Sequence, residues 1–166
     1  CQQCSPSYGW GPGVRNHFLL HHVIGGKGVF ISRATRYDLQ AGDTFLAYPD
    51  TTIHYYADAR DPWEYVWVGF GGLDAASYMS QTDLTEEEPV YRGRDSGDIR
   101  ALLEKIYESY GTSAAESLEM TARLYQLLAF LVRTAQGGRG GGREAPDCAL
   151  LAAEYSDKFR AVFCFG

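Results

Sequence analysis

The segment that most constrains the fold is 23–70, where short apolar and aromatic runs are separated by glycine, proline and aspartate. Turn residues follow strand-like runs at 25–28, 41–43 and 49–50. Short strands at this spacing are typical of a β-sandwich or β-barrel. Because histidine and aromatic side chains of such strands can face inward, the segment predicts a small barrel with a pocket for a small polar ligand.

Size and charge narrow the class of protein. The chain has 166 residues, which suits one domain with a sizeable core. Its formal net charge is -6 and its 15 Lys and Arg residues are scattered, whereas a nucleic-acid-binding face carries clustered positive charge. No apolar run approaches the about 18 residues that a membrane-spanning helix needs. We expect a cytoplasmic protein that has no membrane contact and does not itself bind DNA.

The cysteines indicate neither a zinc site nor a disulfide scaffold. They stand at positions 1, 4, 148 and 164, so the chain has one Cys-x-x-Cys motif without a second pair. That motif alone is a weak zinc signal, and a chain with a large core does not need a disulfide scaffold. We expect reduced thiols.

The pattern becomes helical after residues 71–72. A short helix is predicted near 74–80, and apolar residues recur at helical spacing from 99 to 110. The capping-box pattern Ser113-Ala114-Ala115-Glu116 predicts a further helix that ends near 135. This last helix is apolar on most sides, so we expect a second copy of the chain to cover it; the alternative is a helix wedged between the barrel and the preceding helix. The predicted dimer interface consists of Leu124, Leu127, Leu128 and Leu131.

These elements form one domain in residues 1–136. An arm covers 1–13 and is expected to be irregular over 5–13, where proline and glycine are frequent; the barrel core covers 14–72 and the helices cover 96–135. A glycine-rich linker is predicted at 137–143, followed by a short tail at 144–166. The fold class is therefore mainly β with C-terminal helices, a β-sandwich or β-barrel followed by two α-helices.

Strand alternation sorts the candidate pocket residues. In the strand 63–70 the residues Val66, Val68 and Phe70 suit a face packed on helices, which leaves Tyr65 and Trp67 for the barrel interior. Aromatic faces, imidazoles, phenols and a guanidinium suit a sugar, another polyol or a small carboxylate. The alternative is that these aromatic residues only fill a core. The predicted ligand-binding residues are Arg15, His17, His21, His54, Tyr56, Tyr65 and Trp67.

Metal binding is a second possibility, because His17, His21 and His54 offer three imidazoles. A cupin metal site normally has two histidines one residue apart, and Tyr56 stands where the second would be. We therefore predict neither a metal nor another cofactor. The sequence also contains no serine–histidine–acid motif, phosphate-binding glycine loop or paired carboxylates that would indicate catalysis.

Over residues 4–135 the sequence resembles the AraC-type transcription regulators, in their N-terminal ligand-binding and dimerisation domain. The resemblance rests on GPGVR at 11–15, LLHHVIGGKG at 19–28, AGD at 41–43, YP at 48–49, IHYY at 53–56 and DPWEYVWVGF at 61–70. It implies a cupin-like fold, an effector pocket in the barrel and a dimer formed by the last helix. Tyr56, Tyr65 and Trp67 match sugar-contacting positions of the arabinose-binding member, which has a histidine at the position of Tyr65.

The resemblance also implies that the arm folds over the bound effector and that DNA is contacted through a domain missing from this chain. We expect a bacterial sensor domain that binds a sugar or similar effector and forms a homodimer, and we do not expect an enzyme. The alternatives are a stand-alone cupin enzyme, such as an isomerase or dioxygenase, and a dimerisation module whose pocket binds nothing.

Overall fold

A computed structural model describes residues 2–93 and 95–135. The predicted linker at 137–143, the tail at 144–166 and three of the four cysteines lie outside the described residues. The strands are β1 (Gln2–Gln3), β2 (Gly9–Gly13), β3 (Phe18–Gly25), β4 (Lys27–Ser32), β5 (Thr35–Gln40), β6 (Thr44–Ala47), β7 (Ile53–Ala57), β8 (Glu64–Phe70) and β9 (Val90–Tyr91). The helices are α1 (Ala75–Met79), α2 (Ser96–Glu108) and α3 (Ala114–Thr134).

The strands form two antiparallel sheets that face each other. One sheet has the order β1-β8-β3-β6-β9 and the other the order β2-β7-β4-β5. Side chains from both sheets, among them Val23, Phe30, Leu39, Phe45 and Tyr65, pack into one buried cluster between them. The structure confirms the predicted fold class, a cupin-like barrel that is mainly β and is followed by helices.

The arm is more regular than the sequence predicts. Its first strand pairs with β8, and β2 pairs with β7 in the register that places Gly9 opposite Tyr56. A Cβ at Gly9 would lie 2.9 Å from the carbonyl oxygen of Tyr55, and Gly11 has a φ of +96°. Glycine is therefore required here for close approach of two strands and for one left-handed residue, and the expectation of an irregular segment throughout 5–13 is wrong for Gly9–Gly13.

The helices cover the outer face of the first sheet. Val66, Val68 and Phe70 pack with Ile99 and Leu103 in a second buried cluster, as alternation predicted for β8. The capping box of α3 is also confirmed, since Ser113 and Glu116 exchange both hydrogen bonds. Within the described ranges, no helix has the length and hydropathy needed to cross a membrane.

The four leucines predicted as a dimer interface lie inside their own chain. Leu124 and Leu127 are fully buried, and Leu128 and Leu131 are 3% exposed, in the cluster that joins the helices to the sheet. The predicted interface at Leu124, Leu127, Leu128 and Leu131 is therefore wrong. The helix that precedes α3 and the sheet bury this face, so its apolar character reflects packing within the monomer.

Candidate functional site

His21 lies at the centre of the barrel, in the middle of β3. Register pairs it with Phe45 of β6 on one side and Trp67 of β8 on the other. Its ring is stacked on Phe45 with a centroid distance of 4.5 Å, and the rings of Tyr55 and Tyr65 each lie 5.1 Å away. The side chain is 1% exposed, and its Nδ1 has no hydrogen-bond partner among the described residues.

The imidazole of His21 is neutral at neutral pH. The pKa of His21 is lowered to about 3, mainly by burial and in smaller part by the charge of Arg15, while the backbone carbonyl of Leu19 opposes the shift. A neutral imidazole has one donor and one acceptor nitrogen. Because a buried polar atom without a partner is costly, Nδ1 is well placed to bind a polar group of a ligand.

Two tyrosines add hydroxyl groups to the same cluster. Burial raises the pKa of Tyr55 to about 12, and burial also raises the pKa of Tyr65. The hydroxyl of Tyr65 interacts with both the hydroxyl of Tyr55 and the buried thiol of Cys4. Both phenols therefore remain protonated and can each donate or accept a hydrogen bond.

Trp10 of the arm and Arg15, just after it, close one side of this cluster. The ring of Trp10, in β2, is stacked on Tyr55 at 5.9 Å, and the Cζ of Arg15 lies 4.1 Å from the centroid of the Trp10 ring. A hydrogen bond of 2.7 Å from the amide of Asp50 to the carbonyl of Arg15 fixes the backbone here. The Nε of Arg15 is buried and has no hydrogen-bond partner among the described residues.

The opposite end of the barrel is filled with aromatic side chains. Trp63 is fully buried, stacks on Phe45 at 5.8 Å and meets the edge of Tyr65 at 5.6 Å. Trp10 and Trp67 are two of the four partly buried residues that pack against this cluster; the others are Tyr37 and Val90. The candidate site is therefore the group of side chains around His21, together with Trp10, Arg15 and Trp67.

The structure brings together four of the predicted site residues: Arg15, His21, Tyr65 and Trp67. His17 lies at the edge of this group, half-buried, and its Nδ1 is 2.8 Å from the Oδ1 of Asn16. Burial and the nearby charge of Arg15 lower the pKa of His17.

His54 and Tyr56 lie on the outer face of the barrel, so their predicted place in the pocket is wrong. The hydroxyl of Tyr56 accepts a 2.8 Å hydrogen bond from Arg36, which is itself bonded to Asp38 at the exposed surface. The ring of His54 packs beside Tyr56 at 5.2 Å.

The physical reason is that the other face of β7 is more apolar. Ile53, Tyr55 and Ala57 are buried at 1%, 7% and 2% exposure and pack in the interior cluster. Sequence reasoning missed Tyr55 and, in the arm, Trp10. The alternation of Ile53, Tyr55 and Ala57 is the signal that identifies the inward face.

An open cleft of about 520 Å³ lies outside the barrel, next to His54. Its lining comes from the arm, the β4–β5 turn and the loop before β7, and consists of Pro12, Ile31, Arg33, Ala34, Asp50, Thr51, Thr52, Ile53 and His54. Of the three histidines considered for a metal site, His21 thus lies in the interior of the barrel, His17 at the edge of the site and His54 on the outer face. The part of the chain that the structure describes contains no group of three or more His, Cys, Asp or Glu able to hold a metal ion.

Comparisons with known proteins agree with this architecture. The model of a family described as AraC-like ligand binding domain matches residues 2–128. The Msm operon regulatory protein of Streptococcus mutans serotype c is 32% identical over 132 residues, which are 79% of this chain and 48% of that protein. The lactose operon transcription activator of Staphylococcus xylosus is 29% identical over 126 residues, 74% of this chain and 45% of that protein.

A third relative is the raffinose operon transcriptional regulatory protein RafR of Pediococcus pentosaceus, 32% identical over 111 residues, 64% of this chain and 39% of that protein. The chain thus spans less than half the length of each of these three relatives. Among solved structures, KdgF from Halomonas sp. matches with a TM-score of 0.37 and 18% identity, over 40% of this chain and 62% of that one. A cupin protein from Bacteroides fragilis matches with a TM-score of 0.32 and 18% identity, over 38% and 54%.

Proposed function

Because this chain belongs to the AraC-like ligand binding domain family, we propose that it is the ligand-sensing and dimerisation domain of a transcription regulator. We further propose that its effector is a sugar or a similar small polar molecule and that this effector binds in the barrel. The three relatives are named as regulators of the Msm, lactose and raffinose operons, which supports the regulatory role and a sugar effector.

The observation that carries the effector site is the composition of the cluster around His21. The aromatic rings of Tyr55 and Trp67 offer flat apolar faces, and their centroids lie 5.1 Å and 6.0 Å from that of the His21 ring. The Nδ1 of His21 has no hydrogen-bond partner among the described residues. A sugar has apolar C–H faces as well as hydroxyl groups that donate and accept hydrogen bonds. A preformed cavity with a few such polar groups is the usual form of a small-molecule site.

In this function the domain is a sensor that releases its ligand unchanged. The function of the relatives supports a sensor over a cupin enzyme. Signalling requires that the effector bind one arrangement of the regulator more tightly than another, because a ligand shifts an equilibrium only through its differential affinity. DNA contacts are assigned to a part of the protein that lies outside this chain.

We propose that the dimer forms through the exposed side of α3. Residues at 118, 122, 125, 129 and 132 follow the alternating four- and three-residue spacing of a helix–helix seam. Leu118 is 68% exposed and Tyr125 is 40% exposed, although the latter also meets Tyr78 edge-on at 6.3 Å. Such an apolar stripe on the outside of a helix suits a second copy of the same helix.

Sedimentation tests the dimer. A Leu118→Asp, Ala129→Asp double variant should sediment as a monomer, because two charges would be buried at the seam. Ala101→Asp, which places a charge on the exposed side of α2, is the matched control and should leave the dimer intact. A double variant that remains as dimeric as the parent would contradict this interface.

Calorimetric titration with a panel of mono-, di- and trisaccharides and sugar acids tests the effector site. At least one compound should bind, and Trp67→Ala should weaken its binding at least tenfold through the loss of a stacking face. Tyr56→Phe, on the outer face, should leave the affinity unchanged. Absence of binding across the panel, or conversion of the bound compound into a product, would contradict the proposal.

A further inference from the structure

Resting on the proposed effector site, we propose that the effector carries a negative charge, a carboxylate or a phosphate ester, and that Arg15 binds this group. The neutral hydroxyl groups of the same effector would then contact His21, Tyr55 and Tyr65. This identifies the chemical class of the ligand as a sugar acid or sugar phosphate, rather than a neutral sugar.

The first support is the position of Arg15. Its guanidinium lies over Trp10, 4.1 Å from the ring centroid, and Trp10 is stacked on Tyr55 inside the cluster. The positive charge is close enough to lower the pKa values of His17, His21 and Tyr55. The charge of Arg15 therefore reaches the imidazoles of His17 and His21 and the phenol of Tyr55, next to which the effector is proposed to bind.

The second support is that no acidic residue compensates this charge. Five other arginines each lie in an ion pair with a carboxylate: Arg33, Arg36, Arg92, Arg100 and Arg123. Arg15 has no such pair within 2–93 and 95–135, and its Nε is buried without a hydrogen bond. The imidazole of His21 is neutral, the phenols of Tyr55 and Tyr65 are protonated, and the thiol of Cys4 is buried. The amide of Asp50 donates to the carbonyl of Arg15, but Asp50 is exposed and forms no ion pair with Arg15 among the described residues.

The energetics favour an anionic ligand. Arg15 is half-buried, and its buried Nε has no hydrogen-bond partner among the described residues. Leaving a buried N–H group without a partner is unfavourable, and the face of Trp10 offsets this cost only in part. A carboxylate or phosphate accepts two parallel hydrogen bonds from a guanidinium and also neutralises its charge. A neutral hydroxyl accepts one hydrogen bond and leaves the charge in place, so it gains less from the same residue.

Calorimetry with matched ligands tests the inference. Galactose and glucose are each compared with their uronates and their 6-phosphates, at neutral pH and constant ionic strength. At least one anionic member should bind at least tenfold more tightly than its neutral parent, and its affinity should fall as salt is added. The uronate and phosphate arms of the experiment show which anion the site takes.

Variants separate charge recognition from simple hydrogen bonding. Arg15→Gln should reduce the affinity for the anion to that for the neutral parent, and Arg15→Lys should retain part of the preference because it keeps the charge. Arg36→Gln, which removes an arginine from the outer face, should change neither. Thermal melting of each variant shows that the fold is retained.

Three results would overturn the inference. If a neutral sugar binds as tightly as its acid and its phosphate, Arg15 does not select charge, and the sensor function stands without this inference. The same follows if Arg15→Gln weakens neutral and anionic ligands equally. If no sugar, sugar acid or sugar phosphate binds, both the inference and the proposed effector site fail.

Discussion

Replacing His21 by phenylalanine should make the domain less sensitive to acid. The ring of His21 is buried and already stacked on Phe45, so a phenyl ring of similar size fits the same place. In the parent, burial holds the pKa of His21 at about 3 and that of the adjacent His22 at about 4, against 6.5 for an ordinary histidine. The variant removes the first of these two groups.

The sign of the effect follows from where protons bind. Below pH 6.5 the unfolded chain protonates both histidines, whereas the folded chain keeps them neutral until the pH approaches 4 or 3. The free energy of unfolding therefore falls as the pH falls through this window. At 1.36 kcal/mol per unit of pKa, lowering the pH from 7 to 5 should cost about 2 kcal/mol for each histidine.

Urea denaturation at pH 7 and pH 5 measures this difference. The parent should lose about 4 kcal/mol between the two conditions and the His21→Phe variant about 2 kcal/mol. Trp67→Phe, which changes a neighbouring pocket residue without altering any ionisable group, should lose as much as the parent. If His21→Phe and the parent lose the same free energy, His21 is not held neutral in the barrel and the reasoning is wrong.

Three further predictions concern packing and capping. Gly28→Ala places a Cβ against the ring of Trp63, so it should lower the free energy of unfolding by about 1–3 kcal/mol in chemical denaturation; parent-like stability would contradict the position of the ring. Leu124→Ala should cost about 2–5 kcal/mol because the side chain is fully buried, whereas Leu73→Ala, at 69% exposure, should cost less than about 0.5 kcal/mol. Ser113→Ala removes the cap of α3 and should cost about 1 kcal/mol, and an unchanged denaturation midpoint would show that the cap is dispensable.

The sequence predicted the barrel and the faces of β8 because the two faces of that strand differ in polarity. Val66, Val68 and Phe70 have no polar atoms in their side chains and suit a dry interface with helices, whereas Tyr65 and Trp67 carry polar tips. The capping box predicted the start of α3 for a similarly local reason: Ser113 and Glu116 satisfy backbone groups within one turn.

The faces of β7 and α3 were harder to predict because each element has aromatic or apolar side chains on both sides. Tyr55 and Tyr56 are identical in chemistry, so only the flanking Ile53 and Ala57, which are more apolar than His54, identify the inward face of β7. In α3, the leucine face and the stripe containing Leu118 both suit burial. Which one the monomer covers depends on where α2 and the sheet lie, and this information is not local to the helix.

The most direct test of the account is a crystal structure of this domain with a bound ligand obtained from the binding screen. The account predicts that the ligand lies inside the barrel, hydrogen-bonded to His21 and in contact with Trp67, with its anionic group on Arg15. A ligand that instead occupies the outer cleft beside His54, while the space around His21 stays closed, would contradict it.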